Sequence, residues 1–459
     1  MKTNKYKLNK LRQIINIIKT INVDDTEEFD YLRIISIKNI KIDKNAKNIL
    51  FFPIVLDKKY VEDGWIEKEI DLKTPINEII EKFPQYTFVI EKDMVDKIRY
   101  KYAKLIVVDN IMNSVNMIYN YQIENNKFKT IAVTGSAGKT TTVGVIEKVL
   151  ENKYNILRIY SDRITPIVLK SYIINFLSSQ YNIIALEMGI YYGDHVKKLS
   201  ELLNPNVSVI INIGTAHLGN KGLESCDKIC INKSFILKNA ELGIINGDDS
   251  HLELLKLIDG NLYYNENKLF KTKLGKLERV YPKEIKVINN KMLIKGNLID
   301  VPVLTELSAL QYLIAYNIGK YFNIDEKDIV KSLNNFKSVE NRLNRIKIFD
   351  KEVIFDGDSS FKERIHQVSN HLYKEAYLVL RKYGATYYND DFAGIGEYFK
   401  KFNKVYLFND IKYLNELKNY PNVEIVSNHD FLKNLKGEVF YHYHDYYYTF
   451  DKVNEKYLK

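Results

Sequence analysis

The chain has 459 residues, of which 46% are hydrophobic, so about three domains of ordinary size, each with its own core, are expected. Its net charge of +10 comes from 68 Lys and Arg spread along the chain rather than gathered in a basic block, which suits an acidic small molecule such as a nucleotide or sugar-nucleotide and argues against nucleic acid. Two cysteines, Cys226 and Cys230, exclude a disulfide framework and a four-cysteine zinc site.

The first residues lack a sustained apolar run with a small-residue cleavage site, and no uninterrupted apolar stretch reaches the roughly 18 residues that span a bilayer. A cytoplasmic protein with no membrane partner is expected. The first 134 residues hold a single glycine, Gly64. A dinucleotide-binding turn needs several glycines close together, so this segment cannot contain one. It reads as short mixed elements: a strand near 49–54, a helix near 76–82 and strands at 87–90 and 105–108. The polar stretch 121–129 reads as a linker.

From residue 130 the pattern changes to alternating strands and helices, as in a parallel α/β sheet. Residues 131–142 read Ile-Ala-Val-Thr-Gly-Ser-Ala-Gly-Lys-Thr-Thr-Thr. An apolar strand ends at Val133, a tight loop follows, and a helix begins with Val143, Ile146 and Val149/Leu150 at helical spacing. This is a phosphate cradle. Glycines let backbone N–H groups approach phosphate oxygens, and the helix N-terminus adds positive potential. Lys139 can neutralise terminal phosphate charge, and the Thr140 hydroxyl can ligate Mg²⁺. Thr134, Gly135, Ser136, Ala137, Gly138 and Thr141 complete the candidate cradle. The loop is short: Gly135 and Gly138 bracket Ser136 and Ala137 alone, where the general pattern has four residues.

Ligands of open α/β sheets bind beyond the carboxyl ends of the strands, and each later strand end here carries a polar group. One ends in Glu187, followed by Met188-Gly189; a carboxylate there can hold Mg²⁺ opposite the loop. The next, 207–212, runs into Ile213-Gly214-Thr215-Ala216-His217-Leu218. A lone His is more often structural, but His217 sits on a glycine-containing loop at the expected metal edge. A third ends in Asn246-Gly247-Asp248-Asp249, polar groups suited to adenine or ribose. Helices are expected at 307–322 and 325–336. A second α/β pattern follows, with strands at 353–355, 376–380, 405–408 and 423–426. The run Phe440-Tyr441-His442-Tyr443-His444-Asp445 has metal-like spacing, but its tyrosines favour an aromatic strand.

The T-G-S-x-G-K-T-T loop, E-M-G, I-G-x-A-H-L, a helix with K-x-x-I and N-x-D-D, in this order, resemble the Mur ligase family. E-M-G and the N-terminal arrangement are most similar to the UDP-N-acetylmuramoyl-peptide ligase that adds the terminal dipeptide. The resemblance is strong over 130–250, moderate to Arg342 and weak elsewhere. It implies three α/β domains: a small N-terminal donor domain (1–125), a central ATPase with a parallel sheet (126–343) and a C-terminal Rossmann-like domain (344–459). It implies ATP and Mg²⁺, with Glu187 and His217 beside Thr140 on the metal, and Lys139, Glu187, His217 and Lys233 in catalysis. Lys233 would be the family's carbamylated lysine, the bland alternative being a solvated helix lysine. Asn246 would meet the nucleotide, Arg342 would reach its phosphates, and Asp356, or failing that Asp358, would meet the ribose.

The chain departs from the family where substrates are read. Residues 36–40 lack the D-S-R element, Ser359-Ser360-Phe361-Lys362 replaces the Y-N-A-N-P-like stretch, and no D-N-P-R run follows. A non-standard ATP-dependent carboxylate–amine ligase acting as a monomer is therefore expected. A GTPase is disfavoured because Asn232-Lys233-Ser234-Phe235 lacks the Asp of N-K-x-D, and a small-molecule kinase would not need three domains. A non-catalytic nucleotide-binding protein is the alternative.

Overall fold

The structure is a computed structural model, and it describes residues 2–34, 47–53, 76–160, 164–339, 342–348, 351–356, 361–381, 395–409 and 414–443. Gly64, residues 36–40, Asp358, Ser359, Ser360 and His444 lie outside them. Two compact units emerge: Met1–Thr130 with Tyr154–Leu186 and Lys197–Asn204, and Ile131–Lys153 with Glu187–Val196 and Pro205–Lys459.

The first unit is built on a five-stranded sheet in the order Ile17–Ile21, Lys104–Val108, Thr87–Glu91, Ile49–Phe52, Tyr31–Ile34. The first pair is antiparallel and the rest are parallel. The strands expected at 49–54, 87–90 and 105–108 and the helix Ile76–Lys82 are all present. The stretch expected as a linker is not one throughout. The helix Ile111–Glu124, capped by the Asn110 side chain accepting from the Asn113 N–H, takes its first four residues. Gln122 and Tyr119 are buried there, so packing overrides the polar composition.

In the second unit the strands Lys276–Val280, Leu242–Asn246, Val207–Ile210 and Lys129–Thr134 lie side by side, all parallel. The helix Lys139–Leu150 follows the last of these. Val143, Ile146, Val149 and Leu150 are all buried, each worth roughly 1.5–3 kcal/mol. Val145 and Gly144 are buried as well, and a Cβ on Gly144 would come within 2.8 Å of Val339, so this helix is enclosed on more than one face. Two small antiparallel sheets, within 255–271 and 286–299, were not expected. The helices Glu306–Tyr321 and Glu326–Asn334 follow, close to their expected bounds.

The same unit holds a six-stranded sheet in the order Asn344–Ile348, Lys351–Asp356, Glu438–Tyr443, Ala376–Arg381, Lys404–Phe408, Val423–Val426. The first pair is antiparallel and the others parallel. Separate apolar clusters fill its two faces, one around Ile354, Leu378 and Leu407, the other around Phe355, Val379 and Tyr441. Alternate residues of buried parallel strands feed opposite cores in this way.

Candidate functional site

The loop after the Lys129–Thr134 strand turns at Gly138, whose φ of 85° lies in the left-handed region that favours glycine. A Cβ there would also stand 3.1 Å from Leu307 and Gln311. Thr134 is fully buried, and its hydroxyl donates to the Met188 carbonyl at 2.7 Å. The Met188 N–H in turn donates to the Val133 carbonyl at 2.8 Å. These two bonds fix the residue after Glu187 against the start of the loop.

Glu187 thereby reaches the first turn of the helix. The Thr140 hydroxyl stands 3.0 and 3.1 Å from its two carboxylate oxygens. The Lys139 ammonium donates to the Gly135 carbonyl at 2.9 Å. A hydroxyl, a carboxylate and an ammonium thus converge at the helix N-terminus, where the ammonium and the backbone N–H groups suit a phosphate.

His217 is half-buried and has a positive φ of 69°, a conformation costing a non-glycine residue roughly 1–3 kcal/mol. Its ring meets Tyr191 edge-on, with centroids 5.2 Å apart. Lys233 lies in the last turn of the helix Cys226–Ser234 and is 1% exposed; it is not a solvated helix lysine. Asn246 ends its strand half-buried, its side-chain oxygen accepting from the Asp248 N–H at 3.0 Å.

Arg342 lines a pocket together with Gly138, Thr141, Asp356 and Arg364. The Arg342 N–H is held by the Val339 carbonyl at 3.1 Å. Asp356 is 3% exposed. Its two oxygens lie 3.3 and 3.2 Å from one Arg364 nitrogen, and His442 Nδ1 is 3.6 Å away. Burial pushes this carboxyl group up, but Arg364, His442 and Arg342 together hold it below its ordinary value.

Residues 133–300 match the family model of the Mur ligase middle domain. The UDP-N-acetylmuramoyl-tripeptide–D-alanyl-D-alanine ligase of Bacillus subtilis is 27% identical over 249 residues, covering 53% of this chain and 52% of that protein. A solved MurF from Acinetobacter baumannii aligns over 99% of this chain and 98% of its own, with a TM-score of 0.68 and 15% identity. MurF from Thermotoga maritima, solved in complex with ADP, aligns over 93% and 97%, with a TM-score of 0.66 and 16% identity. Over residues 133–300 the chain is thus similar to the Mur ligase middle domain. Its fold is the three-domain α/β fold of the solved MurF structures. The chain spans about half or less of the length of the first curated relatives it matches.

Several residues around this phosphate loop were not singled out from the sequence. Asn212 binds the loop through both ends of its side chain. Gln311 donates to the Gly138 carbonyl at 3.2 Å. Arg364 and His442 surround Asp356. Asn212 alone left a signal, as a polar residue closing the apolar run Val207-Ser208-Val209-Ile210-Ile211.

Proposed function

We propose that this chain is an ATP-dependent carboxylate–amine ligase, adding an amino acid or short peptide to a carboxylate carried on a sugar-nucleotide or similar donor. The observation that carries this reading is the Thr140–Glu187 contact at the mouth of a loop that also presents Lys139. ATP would supply the phosphoryl group and Mg²⁺ the charge compensation. The oxygens of Thr140 and Glu187 suit that ion: Mg²⁺ takes hard oxygens and completes its shell with phosphate and water. No group of three or more His, Cys, Asp or Glu able to hold a metal occurs among the described residues, as fits a metal that leans on its substrate. Thr140, Glu187 and His217 are the residues that would hold it.

The donor carboxylate attacks the γ-phosphorus and ADP leaves, giving an acyl phosphate. The amine then attacks the acyl carbon, loses a proton, and inorganic phosphate departs. Lys139 and Arg342 neutralise charge on the moving phosphoryl group and the nucleotide. Thr134, Gly135, Ser136, Ala137, Gly138 and Thr141 shape the cradle, while Asn246 and Asp356 lie toward the nucleoside. A carbamate on the buried Lys233 would convert a cation into a metal-supporting anion. The substrates are small molecules, with no nucleic acid or membrane; the enzyme acts as a cytoplasmic monomer. Among the described residues no helix is long and apolar enough to cross a membrane.

The test is ADP release with ATP and Mg²⁺ across a panel of UDP-linked carboxylates and amino acids or dipeptides. ADP and phosphate are expected with one donor–amine pair and not with either partner alone. A protein that binds ATP yet turns over with no pair would be the non-catalytic alternative.

A further inference from the structure

The phosphate loop is short, and its backbone is gripped by a side chain from another strand. Two residues beyond the Val207–Ile210 strand, Asn212 Oδ1 accepts from the N–H groups of both Ser136 (2.8 Å) and Ala137 (3.0 Å). Its Nδ2 donates back to the Ala137 carbonyl at 3.2 Å. The backbone carbonyl of Asn212 also takes the Ser136 N–H at 3.2 Å. One amide thus meets two donors and one acceptor of the same dipeptide, a match that neither a carboxylate nor an ammonium could provide. The approach is close: a Cβ on Gly135 would stand 3.0 Å from Ile211 Cβ and 3.3 Å from Asn212 Oδ1.

A second tie runs in parallel. The Gly214 N–H donates to Ser136 Oγ at 2.7 Å. Between the two ties, the Ile213 N–H is held by Asp249 Oδ2 at 2.9 Å. The other Asp249 oxygen takes the His251 and Leu252 N–H groups at 3.0 and 3.1 Å. The loop therefore rests on a segment that is itself anchored beyond the Leu242–Asn246 strand.

We propose that Asn212 is a positioning residue for the phosphate loop: its amide fixes the Ser136–Ala137 backbone so that the turn into the helix keeps the shape a polyphosphate needs. Two successive N–H groups on one oxygen form a nest that otherwise attracts an anion. Without Asn212, these part-buried donors must find another acceptor, and a phosphate oxygen drawn to them would sit in the wrong place. The inference rests on the nucleotide-binding reading of this loop. It makes a distinction that a purely structural asparagine would not. Asn212→Asp keeps both acceptor bonds, so the loop stays tied, but it loses the bond to the Ala137 carbonyl and sets a negative charge beside the phosphates.

The experiment is calorimetric titration of ATP and ADP, each with Mg²⁺, into the full chain and its Asn212→Ala and Asn212→Asp variants at low and high salt. Asn212→Ala is expected to weaken both nucleotides about tenfold. Asn212→Asp is expected to weaken ATP more than ADP, with the gap shrinking as salt screens the charge. Its melting temperature should stay close to that of the parent. Binding within twofold of the parent for both variants, or an Asp variant blind to salt and to the third phosphate, overturns the proposal. A parent chain that binds neither nucleotide overturns the ligase reading itself, and the inference with it.

Discussion

Glu187 and Asp356 each close a parallel strand at its carboxyl end, and there the likeness stops. Glu187 is half-buried and holds the hydroxyl of Thr140. Asp356 is 3% exposed and holds Arg364, with His442 behind it. The first acid accepts from a single hydroxyl, a contact that a bound cation can replace at little cost. The second sits in an ion pair whose desolvation has already been suffered, so removing either partner leaves a buried charge uncompensated. A carboxylate at a strand end is thus open to exchange its partner for a cation, or locked in an ion pair, according to how deeply its partners are buried.

That contrast can be broken in several ways. The largest effect is expected for Lys139→Ala. Turnover should fall about 10³–10⁵-fold, the scale on which a cation at the moving phosphoryl group counts, with the melting temperature within about 2 °C of the parent. Unfolding of this variant would show that the central edge is structural after all. Next is Lys233→Ala. It should lose about 10²–10³-fold in turnover, and acetate or formate should partly restore it by filling the anionic position. Near-normal activity without rescue would remove Lys233 from the site.

The C-terminal edge should answer in stability. Arg364→Met is expected to cost about 3 kcal/mol or more in urea unfolding, whereas Glu187→Gln should stay within about 0.5 kcal/mol. Equal losses would erase the distinction between the two acids. The smallest expected effect is on pH dependence. The folded Asp356 carboxyl lies below its ordinary value, so the unfolded chain binds its proton first as the pH falls. The stabilisation is complete above the unfolded value of about 3.9 and is lost as pH drops through the lower folded value. An Asp356→Asn, Arg364→Met double variant should flatten that acid limb; an unchanged limb would mean other carboxyl groups carry it.

The strand, loop and helix of the central site were legible because they are contiguous in the chain. Strand, loop and helix follow one another from Lys129 to Leu150, and the buried positions Val143, Ile146 and Val149 keep the helical period. Glu187, His217 and Asn246 could be placed because parallel strands put their carboxyl ends on one edge. The partners of those residues were not legible. Asn212 grips a loop some 75 residues earlier in the chain, a pairing set by strand order. Arg364 and His442 meet Asp356 only because the Glu438–Tyr443 strand lies between Lys351–Asp356 and Ala376–Arg381. That run was read as an aromatic strand rather than a metal site, which its buried place in the sheet matches, but its neighbours could not be named. The hairpins of 255–299 were missed despite a visible cue. Asp259-Gly260, Asn289-Asn290 and Lys295-Gly296 all have positive φ, the backbone that tight hairpin turns demand.

The most direct measurement is a crystal structure of the chain with a non-hydrolysable ATP analogue, Mg²⁺ and bicarbonate. The expected density places the phosphates in the Thr134–Thr141 loop against Lys139, the metal between Thr140 and Glu187, and a carbamate on Lys233. A nucleotide bound elsewhere, with the Thr140 hydroxyl still on Glu187 and no metal between them, would contradict the assignment of this loop as the chain's ATP site.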